Sequence, residues 1–272
     1  MQKILGKEIS KDIVKKLKSF PVPNKILAAV LIGNDPTSIS FLAEKEKIAK
    51  ELGVDFRVYD FPEDSSNDDL RKKIGKLARQ GSVGGVIVQL PLPEGVNKYY
   101  VVSAIPREKD VDVLGERALG AFYNDRNPVL PPAIEVVKEL VQRTSFKLES
   151  AKVAVIGLGA LVGKPISVWL IGKCAELYLL GRGSDLKVIQ KADLVISGVG
   201  KAGIVNAGMM KAGAGIIDFG YYYFPDGGLS GDFAAGDSEE MNKLSFYTPT
   251  PGGTGPILVA KLFENFFTLN ND

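Results

Sequence analysis

The sequence contains no histidine. Any acid–base chemistry must therefore use Lys, Asp, Glu, Tyr or water. Zinc sites built from Cys and His, and Ser-His-Asp triads, are excluded for the same reason.

Cysteine and long apolar runs are also scarce. Cys174 is the only cysteine, so no disulfide forms within the chain, and the composition fits a reducing cytoplasm. No apolar run reaches the length needed to span a membrane, and residues 1–7 lack the apolar core of a signal peptide. We expect a cytoplasmic protein that has no membrane partner.

Neither sign of charge is in large excess. Lys and Arg number 34 against 32 Asp and Glu, which gives a net charge of +2, and the lysines are dispersed along predicted helices. This pattern does not predict a nucleic-acid partner. A chain of 272 residues that is 45% hydrophobic suits one large α/β unit or two modest domains.

The first half of the chain contains a lysine in an unusual position. Residues 26–32 form a continuous apolar run before Gly33, which predicts a strand buried on both faces of a parallel sheet. Thr37 or Ser38 is then predicted to cap a helix that ends near Leu52. Lys45 falls inside the apolar stripe of that helix, where it either extends its head group to water or serves a site.

Polar residues lie at and beyond the end of the third predicted strand, residues 85–90, which follows a second at residues 56–61. Gln89 stands at its carboxyl end, where ligands of parallel sheets bind, although a satisfied edge amide is the alternative. Asp110 and Asp112 lie in a later polar turn. Two carboxylates are too few for calcium and no glycine-centred loop follows, so no metal is predicted, and capping of the turn is the alternative role.

The second half opens on a glycine-rich turn. The β-rich residues 153–156 end at Gly157, and Gly159 and Gly163 follow before a predicted helix. Strand, turn and helix in this order bring a backbone close to a phosphate, although the third glycine comes one residue later than in the G-x-G-x-x-G pattern. A dinucleotide site is predicted, with a plain tight turn as the alternative.

The end of the next predicted strand, residues 175–180, bears on the cofactor. Arg182 and Ser184 follow it and no acid stands at its tip, which favours the 2′-phosphate of NADP over NAD. An ordinary solvated loop charge is the alternative for Arg182, and Asp185 lies close by.

The order of the predicted elements gives the fold class. Residues 193–197 and 214–219 are further predicted strands, a hairpin is predicted at residues 225–228, and a helix follows the proline-rich loop near the end. The two βα series predict an α/β protein with two α/β domains and a cleft between them, the second domain being Rossmann-like.

Four motifs then carry a resemblance to a known family. They are V-Q-L-P-L-P from Val88, K-D-V-D from Lys109, V-G-K-P from Val162 and T-P-T-P-G-G-T-G-P from Thr248. In this order and spacing the chain resembles the bifunctional methylenetetrahydrofolate dehydrogenase/methenyltetrahydrofolate cyclohydrolases, from about Ile4 to the terminal helix.

The resemblance implies a domain plan and an activity. Residues 1–130, joined by a C-terminal helix at 256–272, would form the folate-binding catalytic domain, and residues 131–255 the Rossmann-like NADP-binding domain. The implied enzyme oxidises 5,10-methylenetetrahydrofolate to the methenyl form with NADP and hydrolyses that product to 10-formyltetrahydrofolate. A homodimer is implied as well.

The resemblance also assigns residues. Lys45 matches the catalytic lysine, Gln89 the glutamine that hydrogen-bonds it, and Asp112 the aspartate that holds the pterin ring. A lysine in a partly desolvated cleft has a lowered pKa and can exchange a proton near neutrality. The implied substrate residues are Phe41, Pro249, Gly252 and Gly253. The implied cofactor residues are Gly157, Leu158 and Gly159 at the pyrophosphate, Arg182 and Ser184 at the 2′-phosphate, and Tyr221 near the nicotinamide.

Departures from the family pattern keep two alternatives open. Phe41 replaces the usual tyrosine, Leu158-Gly159 replaces Arg-Ser, and Val113 stands where glycine is usual. Because Phe41 lacks a hydroxyl, one alternative is a dehydrogenase with little cyclohydrolase activity. The other is a nucleotide- or folate-binding regulator without turnover, which would not need the Lys45 ammonium.

Overall fold

The structure, a computed structural model, describes residues 1–224, 227–236 and 239–271. Its α-helices are α1 (Gly6–Leu17), α2 (Pro36–Leu52), α3 (Asn67–Ala78), α4 (Lys98–Val102), α5 (Glu116–Tyr123), α6 (Pro132–Arg143), α7 (Gly163–Leu170) and α8 (Thr254–Asn270). Short 3₁₀ helices are at Arg107–Lys109, Leu186–Lys191, Ala207–Met209 and Glu239–Lys243.

The longer strands belong to two parallel sheets, and the remaining short strands pair two by two. The strands are β1 (Gln2–Lys3), β2 (Ile26–Ile32), β3 (Asp55–Phe61), β4 (Val83–Val88), β5 (Lys152–Ile156), β6 (Glu176–Leu180), β7 (Leu194–Ser197), β8 (Val205–Asn206), β9 (Gly215–Asp218), β10 (Tyr222–Tyr223), β11 (Leu229–Ser230), β12 (Phe233–Ala234) and β13 (Phe246–Tyr247).

The chain folds into two compact units. The three-stranded unit comprises Lys11–Pro132 and Val259–Asp272, and the six-stranded unit comprises Met1–Ser10 and Ala133–Leu258. The first ten residues thus depart from the predicted boundary, because Gln2 and Lys3 pair in parallel with Phe246 and Tyr247 of β13. A two-residue strand has no periodicity that a sequence could reveal. The helix predicted at 256–272 is α8, although residue 272 lies outside the described residues.

The three-stranded unit contains the sheet β3-β2-β4, whose strands are parallel as predicted. All seven residues of β2 are buried, because this apolar strand lies in the centre. On one face, Leu70 and Ile74 of α3 pack into the same cluster as Val30 and Val88. The sheet therefore has a buried centre: β4 pairs with β2, and α2 packs against β2 and β3.

The start of α2 differs from the prediction. Asp35, and neither Thr37 nor Ser38, is the N-cap residue, since its carboxylate accepts the Ser38 N–H at 2.7 Å. Pro36 occupies the first helical position, where its missing N–H and preset φ are suitable. The helix ends as predicted at Leu52, and Gly53 takes a left-handed φ of 74°.

The six-stranded unit contains one parallel sheet in the order β1-β13-β9-β7-β5-β6. The pairings of β5 with β6 and β7, and of β7 with β9, confirm the predicted second βα series. β10 and β11 form an antiparallel pair, as a hairpin requires. Residues 225 and 226 of the predicted hairpin turn lie outside the described residues. Among the described helices, none combines the length and apolarity needed to cross a membrane.

The turn between β5 and α7 depends on glycine for steric reasons. Gly157 has a φ of +83°, which favours glycine. A Cβ on Gly163 would lie 1.8 Å from the carbonyl oxygen of Gly157, so the first residue of α7 packs directly on the end of the strand. Around Gly159, by contrast, nothing lies within 4 Å of a built Cβ. The glycine that comes one residue late is therefore the one that the packing requires.

We predict that Gly163→Ala destabilises the protein by at least about 1–3 kcal/mol, since the added methyl would overlap backbone atoms of Gly157 and Leu158. Urea unfolding followed by circular dichroism measures the change. Gly159→Ala is the matched control and should change the free energy of unfolding by less than about 0.5 kcal/mol. Equal effects of the two substitutions would contradict this account of the turn.

Candidate functional site

In the three-stranded unit, α2 and the end of β4 bring Lys45 and Gln89 together. The Lys45 Nζ donates to the Gln89 Oε1 at 2.6 Å. The amide nitrogen Nε2 of Gln89 donates to the Leu90 carbonyl at 2.6 Å, which orients the amide with its oxygen toward the lysine. Gln89 is buried, and its backbone N–H donates to Val30 of the central strand. The lysine therefore meets an acceptor that the sheet itself holds in place.

Asp112 is the second partner of Lys45. Burial lowers the pKa of Lys45, and the negative charge of Asp112 opposes that shift. Burial likewise raises the pKa of Asp112, and the Lys45 ammonium opposes it. Each charge thus compensates part of the desolvation of the other. The structure brings Lys45, Gln89 and Asp112 together, and the lowered lysine pKa agrees with the sequence-based expectation.

Asp110 shapes the turn that presents Asp112. Its carboxylate accepts the backbone N–H of Leu114 at 3.0 Å and of Gly115 at 2.7 Å. Val113, the departure from the usual glycine, takes a φ of +55°. This conformation is strained for a β-branched residue, and the full burial of its side chain compensates the strain. The turn is therefore held by Asp110 and by packing at a position where glycine would be free of strain.

Burial raises the pKa of Asp110 from 3.8 to about 6, and the bonds from Gly115 and Leu114 oppose the rise. Between those two pH values the unfolded chain has already lost a proton that the folded chain retains. Stability therefore falls as pH rises through this window, by about 3 kcal/mol for a shift of this size. A carboxylate that costs stability and shapes the turn containing Asp112 is a candidate for a functional site.

Phe41 lies on α2 one turn before Lys45 and is half-buried. Residues four apart lie on the same face of a helix. The phenyl ring consequently occupies the side of α2 that carries the lysine. Its role toward a substrate remains a prediction.

The six-stranded unit carries the predicted anion site. No backbone N–H from Leu158 to Val162 donates to a backbone oxygen within the part of the chain that the structure describes. The N-cap residue of α7, Val162, also provides no side-chain cap. A run of unpaired N–H groups before a helix is suited to a phosphate, because the groups need an acceptor and the helix dipole favours negative charge.

The end of β6 lies beside this turn. A Cβ added to Gly181 would lie 3.9 Å from the Leu158 Cδ1. The first residue after Gly157 therefore faces the loop that carries Arg182. Ser184 closes that loop, since its Oγ accepts the Gly181 N–H at 3.0 Å. Asp185 caps the following 3₁₀ helix through the Lys187 N–H. Arg182 is exposed and forms no ion pair with any described residue, which leaves its guanidinium available for an anion.

The remaining predicted residues lie on two other loops of this unit. Tyr221 is 39% exposed, and its ring meets Tyr223 edge-on at 5.3 Å. Gly252 has a φ of +94° and accepts the Gly6 N–H at 2.8 Å, so the start of α1 supports its loop. A Cβ on Gly253 would lie 2.4 Å from the Pro249 carbonyl oxygen, and glycine is therefore required for the loop to close.

Sequence reasoning missed two acids in this unit. Asp218 and Asp232 have no exposed surface, and both accept backbone N–H groups. The signals were weak: Asp218 ends a strand two residues before Gly220, and Asp232 follows Gly231 directly before a short strand. Such a pattern looks like an ordinary turn cap until the surrounding loops are placed.

A parallel sheet with a glycine turn before a helix defines a Rossmann-like nucleotide-binding protein. Comparison with known families makes the class narrower. Residues 2–112 match the catalytic domain of the tetrahydrofolate dehydrogenase/cyclohydrolase family, and residues 131–272 match its NAD(P)-binding domain. The chain belongs to the tetrahydrofolate dehydrogenase/cyclohydrolase family.

Individual relatives agree over nearly the full length. The bifunctional protein FolD of Francisella tularensis subspecies holarctica is 35% identical over 96% of this chain and 95% of its own. The crystal structure of the Campylobacter jejuni bifunctional enzyme FolD has a TM-score of 0.90 at 30% identity, covering 97% and 96% of the two chains. A Trypanosoma brucei dehydrogenase-cyclohydrolase complexed with NADP and an inhibitor has a TM-score of 0.90 at 25% identity, covering 98% and 96%.

Proposed function

We propose that this protein oxidises 5,10-methylenetetrahydrofolate to 5,10-methenyltetrahydrofolate with NADP and hydrolyses the product to 10-formyltetrahydrofolate. The observation that carries the proposal is the partly buried hydrogen bond from Lys45 to Gln89, at a lysine that also feels the charge of Asp112. A protein that only binds nucleotide or folate has no use for an ammonium whose pKa is lowered by burial. Family membership supports the same activity.

Lys45 carries the proton in hydrolysis. The neutral amine accepts a proton as the oxygen of water bonds to the methenyl carbon. The ammonium then returns that proton to N5 as the bond between N5 and the same carbon breaks, and the new hydroxyl loses its proton to solvent as the formyl group forms. Gln89 holds the amine through its Oε1, and Asp112 holds the pterin ring while limiting the fall of the lysine pKa.

The six-stranded unit fits NADP. Bound nicotinamide supplies the hydride acceptor for the oxidation. The turn from Gly157 to Gly159 is proposed to hold the pyrophosphate through the N–H groups of Leu158 and Gly159, and Arg182 and Ser184 the 2′-phosphate. Tyr221 is proposed to lie beside the nicotinamide. Because Leu158 and Gly159 bring no charge to the phosphates, the preference for NADP over NAD depends chiefly on Arg182.

Phe41 favours a second candidate, a dehydrogenase with little cyclohydrolase activity. A phenyl ring packs beside the pterin or the lysine but donates no hydrogen bond. Any proton path through a hydroxyl at this position must use water here. The relative rates of the two reactions on one protein sample separate the two candidates.

We predict that Lys45→Met lowers methenyltetrahydrofolate hydrolysis by about 100-fold or more, because the only proposed proton carrier is lost. NADP reduction should persist, since hydride transfer needs alignment and no protein proton. Hydrolysis is followed by the loss of methenyl absorbance, and NADP reduction in a separate assay.

Lys47→Met is the matched control, two residues further along α2. Lys47 is exposed and pairs with Glu44 at 2.5 Å, so both activities should stay at wild-type levels. Normal hydrolysis by Lys45→Met would remove the lysine from the mechanism. Faster hydrolysis by Phe41→Tyr would identify the missing hydroxyl as the limit on that activity.

A second prediction concerns the cofactor. Arg182→Ala should raise the KM for NADP by about 10- to 100-fold, the loss expected for charge-assisted hydrogen bonds. The KM for NAD should change little, because NAD has no 2′-phosphate. Steady-state dehydrogenase assays with both cofactors measure this, and equal changes for NADP and NAD would rule out contact with the 2′-phosphate.

We also propose a cytoplasmic homodimer that pairs through the hairpin of β10 and β11. Three adjacent aromatic residues on this hairpin, Tyr222, Tyr223 and Phe224, are each about 40% exposed. Clustered exposed aromatics are typical of protein interfaces.

Light scattering should therefore give twice the 29.3 kDa mass of one chain. Tyr223→Ser should shift the protein toward the monomer, because it removes apolar area from the contact. A monomeric wild-type protein at micromolar concentration would contradict the dimer. Cell fractionation tests the compartment.

A further inference from the structure

Asp218 ends β9 with a carboxylate that has no exposed surface. The carboxylate accepts the N–H of Gly220 at 2.7 Å and of Phe233 at 3.0 Å. No Lys or Arg among the described residues forms an ion pair with it. Backbone N–H groups therefore provide most of its compensation, and one of them belongs to the residue just before Tyr221.

The main chain of Asp218 holds a different loop. Its N–H donates to the Thr248 Oγ1 at 2.7 Å, and its carbonyl accepts from the Thr254 Oγ1 at 2.8 Å. The Thr250 Oγ1 makes a longer contact of 3.4 Å with the carboxylate. All three threonines of the T-P-T-P-G-G-T stretch thus bond to this one residue. The loop that carries Pro249, Gly252 and Gly253 is tied to it at both ends.

Asp232 extends the same cluster. Its backbone N–H donates to the Asp218 Oδ1 at 3.3 Å. Its own carboxylate accepts from the Ser197 Oγ at 2.7 Å and from the N–H groups of Val199 and Lys201 at 2.6 and 2.8 Å. The loop after β7 is therefore held as well.

Glycine is required at two positions next to these acids, because the backbone approaches each carboxylate closely. A Cβ on Gly231 would lie 2.0 Å from the Asp218 Oδ2, and a Cβ on Gly220 would lie 2.3 Å from the Asp232 Cγ. Backbone and carboxylate approach each other too closely for any side chain. The cluster is consequently a packed junction of three loops.

Stability does not account for a carboxylate at this junction. Burial raises the pKa of Asp218 to about 6, against the opposing bonds from Phe233 and Gly220, and the neighbouring charge of Asp232 raises it further. At neutral pH the charged group therefore lowers the free energy of unfolding, since the unfolded chain ionises more readily. A buried carboxylate with a perturbed pKa, at loops that carry predicted site residues, is a candidate for a role in that site.

We propose that Asp218 is a positioning residue for the dehydrogenase reaction, holding the Tyr221 turn through its carboxylate and the Pro249–Gly253 loop through its main chain. The proposal rests on the proposed function, in which Tyr221 meets the nicotinamide and the Pro249–Gly253 loop meets the folate. One residue then sets the relation between the loop for the hydride acceptor and the loop for the donor. Hydride transfer depends on that alignment.

The carboxylate is tested with Asp218→Asn in the full chain. An amide of the same shape turns a donor toward N–H groups, so the Tyr221 turn should loosen. We expect faster hydrogen exchange in residues 219–223, measured by mass spectrometry, and a KM for NADP raised on the order of tenfold. Unchanged exchange in residues 219–223 would overturn the proposal, whatever the activity.

The main-chain bonds are tested with Thr254→Val and Thr254→Ser, and these variants serve also if Asp218→Asn does not fold. Valine keeps the shape and removes the hydroxyl, whereas serine keeps the hydroxyl. Valine should accelerate exchange in residues 248–254 and raise the KM for methylenetetrahydrofolate on the order of tenfold, and serine should restore both. Equal behaviour of the two variants would overturn the role of this bond.

Ser197→Ala is the matched control for stability. It removes a 2.7 Å bond to Asp232 but leaves every contact of Asp218 in place. Its KM values should stay at wild-type levels even where its Tm falls as far as that of Asp218→Asn. Similar KM changes in both variants would reduce Asp218 to a structural residue. If exchange changes as expected but wild-type protein reduces no NADP, Asp218 does hold the two loops and the proposed function is wrong.

Discussion

The hydrogen bond between Lys45 and Gln89 is the interaction on which the proposed chemistry of the three-stranded unit depends. A buried amine would ordinarily find no polar neighbour on the apolar face of a helix. Here the side-chain amide oxygen of Gln89, at the end of β4, accepts the lysine N–H at 2.6 Å. The amide nitrogen of the same side chain donates to the Leu90 carbonyl, which orients the amide. Asp112 adds the opposite charge, and Asp110 forms the turn that presents it. The burial that lowers the lysine pKa is tolerated because these partners are already in place.

The six-stranded unit also buries charged groups, and there no described Lys or Arg forms an ion pair with them. Asp218 and Asp232 are compensated by backbone N–H groups, and glycines at 220 and 231 let the chain approach the carboxylates. By contrast, the N–H groups of residues 158–162, in the turn after β5, donate to no backbone oxygen of the described residues and are available to an anion. Both arrangements use the carboxyl ends of parallel strands, where loops from neighbouring strands meet and the sheet no longer pairs the backbone.

Much of the fold follows from local sequence. The apolar run of residues 26–32 is a buried central strand, and Ser66 caps α3 as its position before acidic residues indicates. The prediction that Thr37 or Ser38 caps α2 is wrong. Pro36 is itself a helix-start signal, and the N-cap is the residue before it, Asp35. The pairing of β1 with β13 could not be anticipated, since it joins residues far apart in the chain through only two positions.

The sequence by itself determined the two parallel βα series, the glycine turn at Gly157 and, through its motifs, the family, and it proposed Lys45, Gln89 and Asp112 as site residues. These features reside in local patterns of apolar spacing, turn residues and short motifs. Tertiary structure alone decided that Gly163 packs against Gly157, that Val113 is strained but buried, and that three threonines converge on Asp218. The physical reason is that burial and hydrogen-bond partners depend on which distant segments of the chain meet. Local sequence patterns do not specify the distances between such segments.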